Sequence, residues 1–374
     1  MDTATSPWRS EPGRAVELCV VGNPDNRRVA FLRAAAARTG VLVRQVVPWR
    51  ELAAGTVTLA RRTLVRVDSP GEDAEVDRLL RGATAPARHG EIVGLRAWYR
   101  GLRTALTRLA EAADRADALL LSPPDDVLIM FDKGACHAHL AAAGVPVPPA
   151  LPAPGGYAEL RAAMRAAGWA RVFVKPAHGS SASGVLALQV AQGRVRATTP
   201  VELAAGGALY NSLRVRTYTD ERAIASIVDR LAADGLHVER WFPKAGLAGR
   251  VVDLRVLVVA GRATHVVVRS SRTPMTNLHL GNGRGDLAQL RTAAGERAYR
   301  SALDTACQAA SCFPGSVQVA VDLMFGPGWA RHAVAEVNAF GDLLPGVLSA
   351  QGRDTYTEQL VALRTFAPGV ACAT

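Results

Sequence analysis

Asp322, Glu336 and Asn338 have the types and spacing of a cation site. They lie in Val319–Leu343, VAVDLMFGPGWARHAVAEVNAFGDL, where Asp322 sits in an apolar run and FGPGW carries the Gly and Pro of a chain reversal. Beyond the turn, Glu336 and Asn338 stand two apart, so both point to the same face of a strand. Two carboxylates and an amide on adjacent strands suit a hard cation. Mg²⁺ held together with phosphate oxygens fits best, with Mn²⁺ as a substitute. A surface hairpin with alternating polar residues satisfies the same pattern, and this stretch alone leaves both readings open.

The cations add to this. Of 44 Lys and Arg residues only three are lysines, Lys133, Lys175 and Lys244. Where Arg serves, this chain uses Arg, so a remaining lysine is a candidate for a position needing a compact ammonium rather than a planar fork. Chance survival is the alternative for any one of them. In ARVFVKPAHGSSASGVLALQV a buried strand delivers Lys175, a loop of small residues runs from Ala177 to Gly184, and a second strand follows. The loop has few apolar side chains to pack, and its backbone N–H groups can close over phosphates. It is not a Walker A loop, since no Gly-Lys-Ser/Thr precedes a helix.

Elements must position these residues. AVELCVVGNP, RRVAFLRAAAARTG and VLVRQVVPW read as strand, helix closed by Gly40, and strand, and TLVRVDSPGED adds a further strand. That order predicts a parallel α/β lobe. GNPDN lacks G-x-G-x-x-G, so no dinucleotide site is expected there. Arg66 precedes an Asp-Ser-Pro-Gly turn at a strand end, where it is placed to meet a substrate carboxylate; a turn present for its own geometry is the alternative. Leu95, Trp98, Leu102, Leu106 and Leu109 mark an amphipathic core helix. Asp132 is placed to cap the next helix, with Lys133 in its first turn. His137 and His139, two apart on that helix, have the wrong spacing for a shared metal and read as structural or surface residues. Helices are expected at Tyr157–Gly168 and Asp220–Ala233, and residues 205–220 show no clear periodicity. VVDLRVLVVAGRATHVVVRSSR reads as a hairpin with Asp253 and Arg255 on one face and Arg269 on the returning strand. RTAAGERAYRSALDTACQAASCF reads as one helix. Residues 1–14 are expected to be a disordered tail, with a first lobe over 15–127 and further subdomains over 128–237 and 238–374.

Composition sets the class. With 374 residues, 49% hydrophobic and 21% charged, the chain has the balance of a soluble enzyme of two or three packed parts. No apolar run is long enough to span a bilayer, and the N-terminal stretch has no apolar h-region, so a cytoplasmic protein without membrane contact is expected. Cys19, Cys136, Cys307, Cys312 and Cys372 form no CxxC pair or zinc spacing and read as reduced thiols. The net charge of +11 is spread along the chain without aromatic interleaving, which points to a basic cleft rather than nucleic acid.

Lys133, Lys175 with its small-residue loop, Glu239-Arg240-Trp241-Phe242, Asp253-x-Arg255, Arg269, Asn277-Leu278 and Asp322…Glu336-x-Asn338 occur in the order of the ATP-grasp superfamily. The chain resembles that superfamily over about residues 128–350, nearest the branch of bacterial glutathione synthetase and the ribosomal S6-modifying glutamate ligase. NLHLGNGRGD is similar to that branch's Asn-Leu-x-x-Gly-Gly stretch. The resemblance implies an α/β ATP-grasp fold, two α+β subdomains clasping ATP, preceded by the N-terminal parallel lobe. It implies that Lys133 and Lys175 contact phosphates under a flap that includes His178, Gly179, Ser180, Ser181 and Gly184. Glu239, Arg240, Trp241 and Phe242 would be the adenine hinge, and Asp253 would lie near the ribose. Lys175, Arg255 and Arg269 would act on the transferred phosphoryl, and Asn277 at the γ-phosphate or metal. Asp322, Glu336 and Asn338 would hold Mg²⁺. The hinge Arg-Trp-Phe and the longer turn between Asp322 and Glu336 depart from the family's commoner pattern.

The activity so implied is an ATP-dependent carboxylate–amine ligase. A carboxylate takes the γ-phosphoryl, and an amine then displaces phosphate and forms an amide. Alternatives are an ATP-grasp kinase acting on a small-molecule hydroxyl and a nucleotide-binding module without turnover. The partners would be a small-molecule or peptide carboxylate and an amine, with a homo-oligomer open. Arg66, Arg272, His279 and Arg284 are the substrate candidates, and the arginine-rich substrate side favours an anionic substrate.

Overall fold

The computed structural model of the chain describes residues 16–363; the expected disordered tail at 1–14 and Cys372 lie outside the described residues. The first sheet is four-stranded and parallel. Across it the strands run Leu42–Pro48, Glu17–Gly22, Leu64–Val67 and Leu119–Leu120. Leu18 to Val21 are all buried, as an apolar run covered on both faces should be. The helix Arg27–Thr39 starts at Asn26, whose side chain accepts from the Arg28 N–H, and ends on Gly40 at φ 68°. Leu102, Leu106 and Leu109 of the helix Leu95–Ala116 pack into this lobe's core.

The second sheet is antiparallel and six-stranded, in the order Ala150–Leu151, Leu236–Arg240, Arg171–Pro176, Leu186–Ala191, Arg194–Leu203 and Leu209–Tyr218. Helices Tyr157–Ala166 and Glu221–Ala232 complete a core of its own, with Leu160, Met164, Val172, Val174, Ile227 and Val228. The stretch 205–220, which has no clear period, contains the edge strand Leu209–Tyr218. Tyr210 also bridges Glu91 on its outer side, and the register shifts between Thr199 and Val201 of its partner strand, which breaks the alternation a sequence reading relies on.

The third sheet runs Gly283–Arg284, Arg262–Ser271, Arg250–Val259, Gln318–Phe325 and His332–Asn338 and is antiparallel. Every residue of Gln318–Phe325 is buried. The single helix expected after this sheet's hairpin is two, Leu287–Ala294 and Glu296–Ser311. Gly295 between them sits at φ +78°, a conformation no helical residue has and that Gly adopts without a Cβ clash. The core of this sheet is continuous with that of the first. Cys19, Cys136 and Cys312 are unbridged. Among the described residues no helix is long and apolar enough to cross a membrane.

Candidate active site

Side chains of the second and third sheets line one cleft, and all three lysines lie in it. Lys175 leaves its strand toward the neighbouring one, where Nζ donates to Glu239 Oε2 at 2.7 Å. Nζ also donates to the Ala335 carbonyl at 3.2 Å. That carbonyl is free of the ladder because Asp322 pairs with Glu336 while Leu323 pairs with Val334, leaving Ala335 as a bulge. His237 Nε2 donates to Glu239 Oε1 at 2.9 Å. Burial pushes the Glu239 carboxyl up, but Lys175 and then His237 outweigh it and bring its pKa down to about 2. Burial pushes the His237 imidazole down, toward its neutral form.

Lys133 stands in the first turn of the helix Lys133–Ala142, which Asp132 caps by accepting from the Ala135 N–H. Its Nζ donates to the Gly179 carbonyl at 2.6 Å and lies 3.0 Å from Glu336 Oε1. One ammonium thus ties the small-residue loop to a carboxylate of the third sheet.

On the third sheet the pairing register builds an ionic chain. Asp253 lies opposite Arg269, and Arg255 lies opposite Asp322, so the four side chains meet on one face. Asp253, 1% exposed, accepts from Arg269 Nε at 2.7 Å, from Lys244 Nζ at 2.8 Å and from the Thr276 hydroxyl. Arg269 Nη1 donates to Asp322 Oδ2 at 3.0 Å. Arg255 reaches both oxygens of Asp322, and its Nη1 donates to Asp342 at 2.9 Å. Burial opposes ionisation of Asp253, but Arg269 and Lys244 hold its pKa well below the usual carboxylate range. Burial works against the charge on Arg269 too, and Asp253 and Asp322 overcome it. Lys244 is pushed down, burial being the largest cause.

The cleft is lined by the expected Lys133, Lys175, Gly179, Ser180, Glu239 and Arg240. Phe242, Asp253, Arg269, Asn277, Asp322 and Glu336 line it as well. An adjoining chamber of about 380 Å³ is lined by Ser181, Arg255, His279, Arg284 and Asn338. Asn277 Oδ1 accepts from the His279 N–H and caps the short turn Leu278–Leu280.

Five expected residues line neither space. His178 is buried with its ring stacked on Tyr99, centroids 4.0 Å apart. Trp241 packs on Phe173, centroids 5.0 Å apart, because extended backbone sends Arg240 and Phe242 to the cleft and the residue between them to the other side. Gly184 is at φ +73°, where a Cβ would stand 2.5 Å from Pro176 Cγ, so its need is steric. Arg66 is 5% exposed, its guanidinium 5.2 Å above the Tyr356 ring. Arg272 is exposed.

Lys244 was marked by its rarity but given no role, and Thr276 and Asp342 were missed. Asp342 is 87 residues from Arg255, and no local pattern links them. For a metal, the donors Asp322, Glu336 and Asn338 are all oxygens, which suits Mg²⁺. Asp322 is held by Arg255 and Arg269 and Glu336 by Lys133, and among the described residues no group of three or more His, Cys, Asp or Glu could hold a metal ion.

No protein-family model matches the chain, and no curated protein matches its sequence. Among solved structures it is similar to D-cycloserine synthetase DcsG, at 19% identity and TM-score 0.57, over 93% of this chain and 99% of that one. It is similar to PurK, N5-carboxyaminoimidazole ribonucleotide synthetase in its ADP complex, at 11% identity and TM-score 0.55, over 96% of this chain and 79% of that one. The ATP-grasp ligase PsnB with its minimal precursor matches at 17% identity and TM-score 0.52, over 94% and 99%. An N-terminal parallel sheet followed by two antiparallel sheets with a cleft between them, in the arrangement of these structures, is the ATP-grasp fold, and this chain has it.

Proposed function

We propose that the chain is an ATP-dependent carboxylate–amine ligase that forms an amide bond through an acyl phosphate and releases ADP and phosphate. The observation that carries this reading is the convergence of all three lysines on one cleft with Arg269, Asp322 and Glu336. Phosphoryl transfer needs positioning and neutralisation of charge spreading over phosphoryl oxygens more than covalent help from the protein. The cleft supplies cations fixed in place by buried carboxylates. The fold supports the reading, as does a structure of PsnB with Mg and ADP.

In this reading Lys133 and Lys175 bind phosphate oxygens, and the loop through Gly179, Ser180 and Ser181 closes over them and excludes water. Arg240 and Phe242 line the adenine end. Arg255 and Arg269 orient the substrate carboxylate and neutralise the acyl phosphate. Asp322, Glu336 and Asn338 would hold Mg²⁺ together with phosphate oxygens, and the ion would neutralise charge between the phosphates. The resemblance of the sequence to the branch of bacterial glutathione synthetase and the S6-modifying ligase agrees with an acid and an amine as substrates. A small-molecule or peptide acid fits this reading equally.

The test is ADP release from Mg·ATP with pools of carboxylic acids, with and without pools of amines, beside Lys175→Ala and Asp322→Asn. Release that needs both pools and falls by about a hundredfold or more in each variant is expected. Release that needs no amine would replace the ligase by a kinase. ATP binding without release from any pool would favour a module without turnover.

A further inference from the structure

The first sheet ends in a polar crevice whose own residues the reading above does not use. Its central strand Glu17–Gly22 has Leu42–Pro48 on one side and Leu64–Val67 on the other. Successive connections therefore leave the first strand to opposite sides, and a crevice opens beyond the carboxyl ends of the first and third strands. Open parallel sheets take ligands at such switch points. Arg28 stands in the first turn of the helix after the first strand, and Ser69 and Glu72 lie in the loop after the third. All three line the larger chamber, the one that Arg255 and Arg269 also line.

The guanidiniums of this chamber fall into two kinds. Arg255 through Nη1 and Nη2 and Arg269 through Nε and Nη1 donate to carboxylate oxygens at 3.0 Å or less. Arg28 Nη1 has no hydrogen-bond partner, and Asp68 Oδ1 is 3.7 Å from it. Arg66 Nη2 stands 3.7 Å from the same oxygen. Arg66 Nε and Nη1, Asp68 Oδ2 and the Tyr356 hydroxyl are likewise buried without partners. Buried polar groups are ordinarily hydrogen-bonded, and each one left without a partner is costly. Arg28 stands beside the chamber just beyond hydrogen-bond range of Asp68, with Arg66 buried behind the same carboxylate, an arrangement open to an anion rather than a closed ion pair. Burial opposes the charge on Arg28, but Asp68 first, then Tyr356, Asp342 and Glu72, keep it cationic.

We propose that Arg28 binds a second anionic group of the substrate, a carboxylate remote from the one presented to Arg255 and Arg269, so that the substrate is a small dicarboxylic acid. Arg28 touches the ligand; Asp68, Arg66 and Tyr356 are positioning residues that hold its guanidinium at the crevice. Which carboxylate reacts rests on the ligase reading, but the binding itself does not.

The test uses the full chain. Calorimetric titration compares the dicarboxylates from malonate to adipate with monocarboxylates of matched length, on the wild type, Arg28→Gln and Arg28→Lys. Mg·ADP titration checks that each variant is folded. At least one dicarboxylate should bind about tenfold or more tighter than its monocarboxylate partner. Arg28→Gln should remove that preference and Arg28→Lys retain part of it, with Mg·ADP affinity unchanged in both. In ADP release with the preferred acid, Arg28→Gln should raise KM about tenfold and leave kcat within about threefold. A wild type without preference, or an undiminished preference in Arg28→Gln, overturns the proposal. A preference lost in Arg28→Gln while no acid supports ADP release upholds it and overturns the ligase reading alone.

Discussion

On the second sheet Lys175 meets one carboxylate, Glu239, which His237 shares; on the third, Asp253, Arg269, Asp322 and Arg255 form an unbroken chain of pairs that Lys244 and Asp342 extend from the flanking segments. Their cores differ in the same sense. The second sheet has its own core, whereas the third shares one with the N-terminal lobe. The comparison teaches a division of labour. A charge array set by cross-strand register and anchored in the larger core holds its geometry before any substrate arrives. The second sheet has its loop of small residues tied to Glu336 across the cleft by Lys133, and its Val185 and Ala187 pack on Met275 and Leu280 beyond the third sheet's hairpin.

The largest break in this contrast should come from Asp253→Ala. It leaves Arg269 and Lys244 buried without their shared partner, and removing one member of a buried pair costs about 3–5 kcal/mol. Urea denaturation measures it, and a loss under about 1 kcal/mol would mean that the array is not anchored as described. The pH dependence of the second sheet comes next. Glu239 has a pKa held at about 2 against an ordinary 4.5, so its contribution is present above pH 4.5 and is lost as pH falls toward 2. A shift of that size corresponds to about 3 kcal/mol. Denaturation at a series of pH values should show a shallower acid limb in Glu239→Gln than in the wild type. Equal slopes would remove the Lys175–Glu239 pair from the account.

Gly184→Ala sharpens the comparison of cores. A Cβ there meets Pro176 at 2.5 Å in a left-handed conformation, a strain of about 1–3 kcal/mol. Hydrogen exchange should accelerate in Leu186–Ala191 and stay unchanged in Gln318–Phe325, and equal acceleration in both would mean that the two cores unfold together. Ala182→Gly should have the smallest effect. Ser181 and Ala182 sit at φ 57° and 59°, and glycine at the second relieves strain worth about 1 kcal/mol, seen as a slight rise in Tm.

Much of the fold was legible because its signals are local. Gly40 closes a helix, Asp132 caps one, and VVDLRVLVVAGRATHVVVRSSR folds as the hairpin read from its sequence. What failed was also local. Gly295 divides a stretch that reads as one helix, and the strand Leu209–Tyr218 lost its alternation to a shifted register. In the site, the two-residue spacing of Glu336 and Asn338 was readable, but the bulge at Ala335 that turns a carbonyl to Lys175 was not.

By itself the sequence determined residue types, their period along each strand and the scarcity of lysine, because these depend only on neighbours in the chain. That is enough to mark Lys133, Lys175, Asp322 and Glu336. Only the tertiary structure decided which charges meet. Asp253 engages both Lys244 and Arg269, Asp342 takes Arg255, and His178 turns onto Tyr99 instead of the cleft. Those choices follow from strand register and sheet packing. Register joins residues far apart in the chain, and burial makes each unpaired charge too costly to leave unanswered.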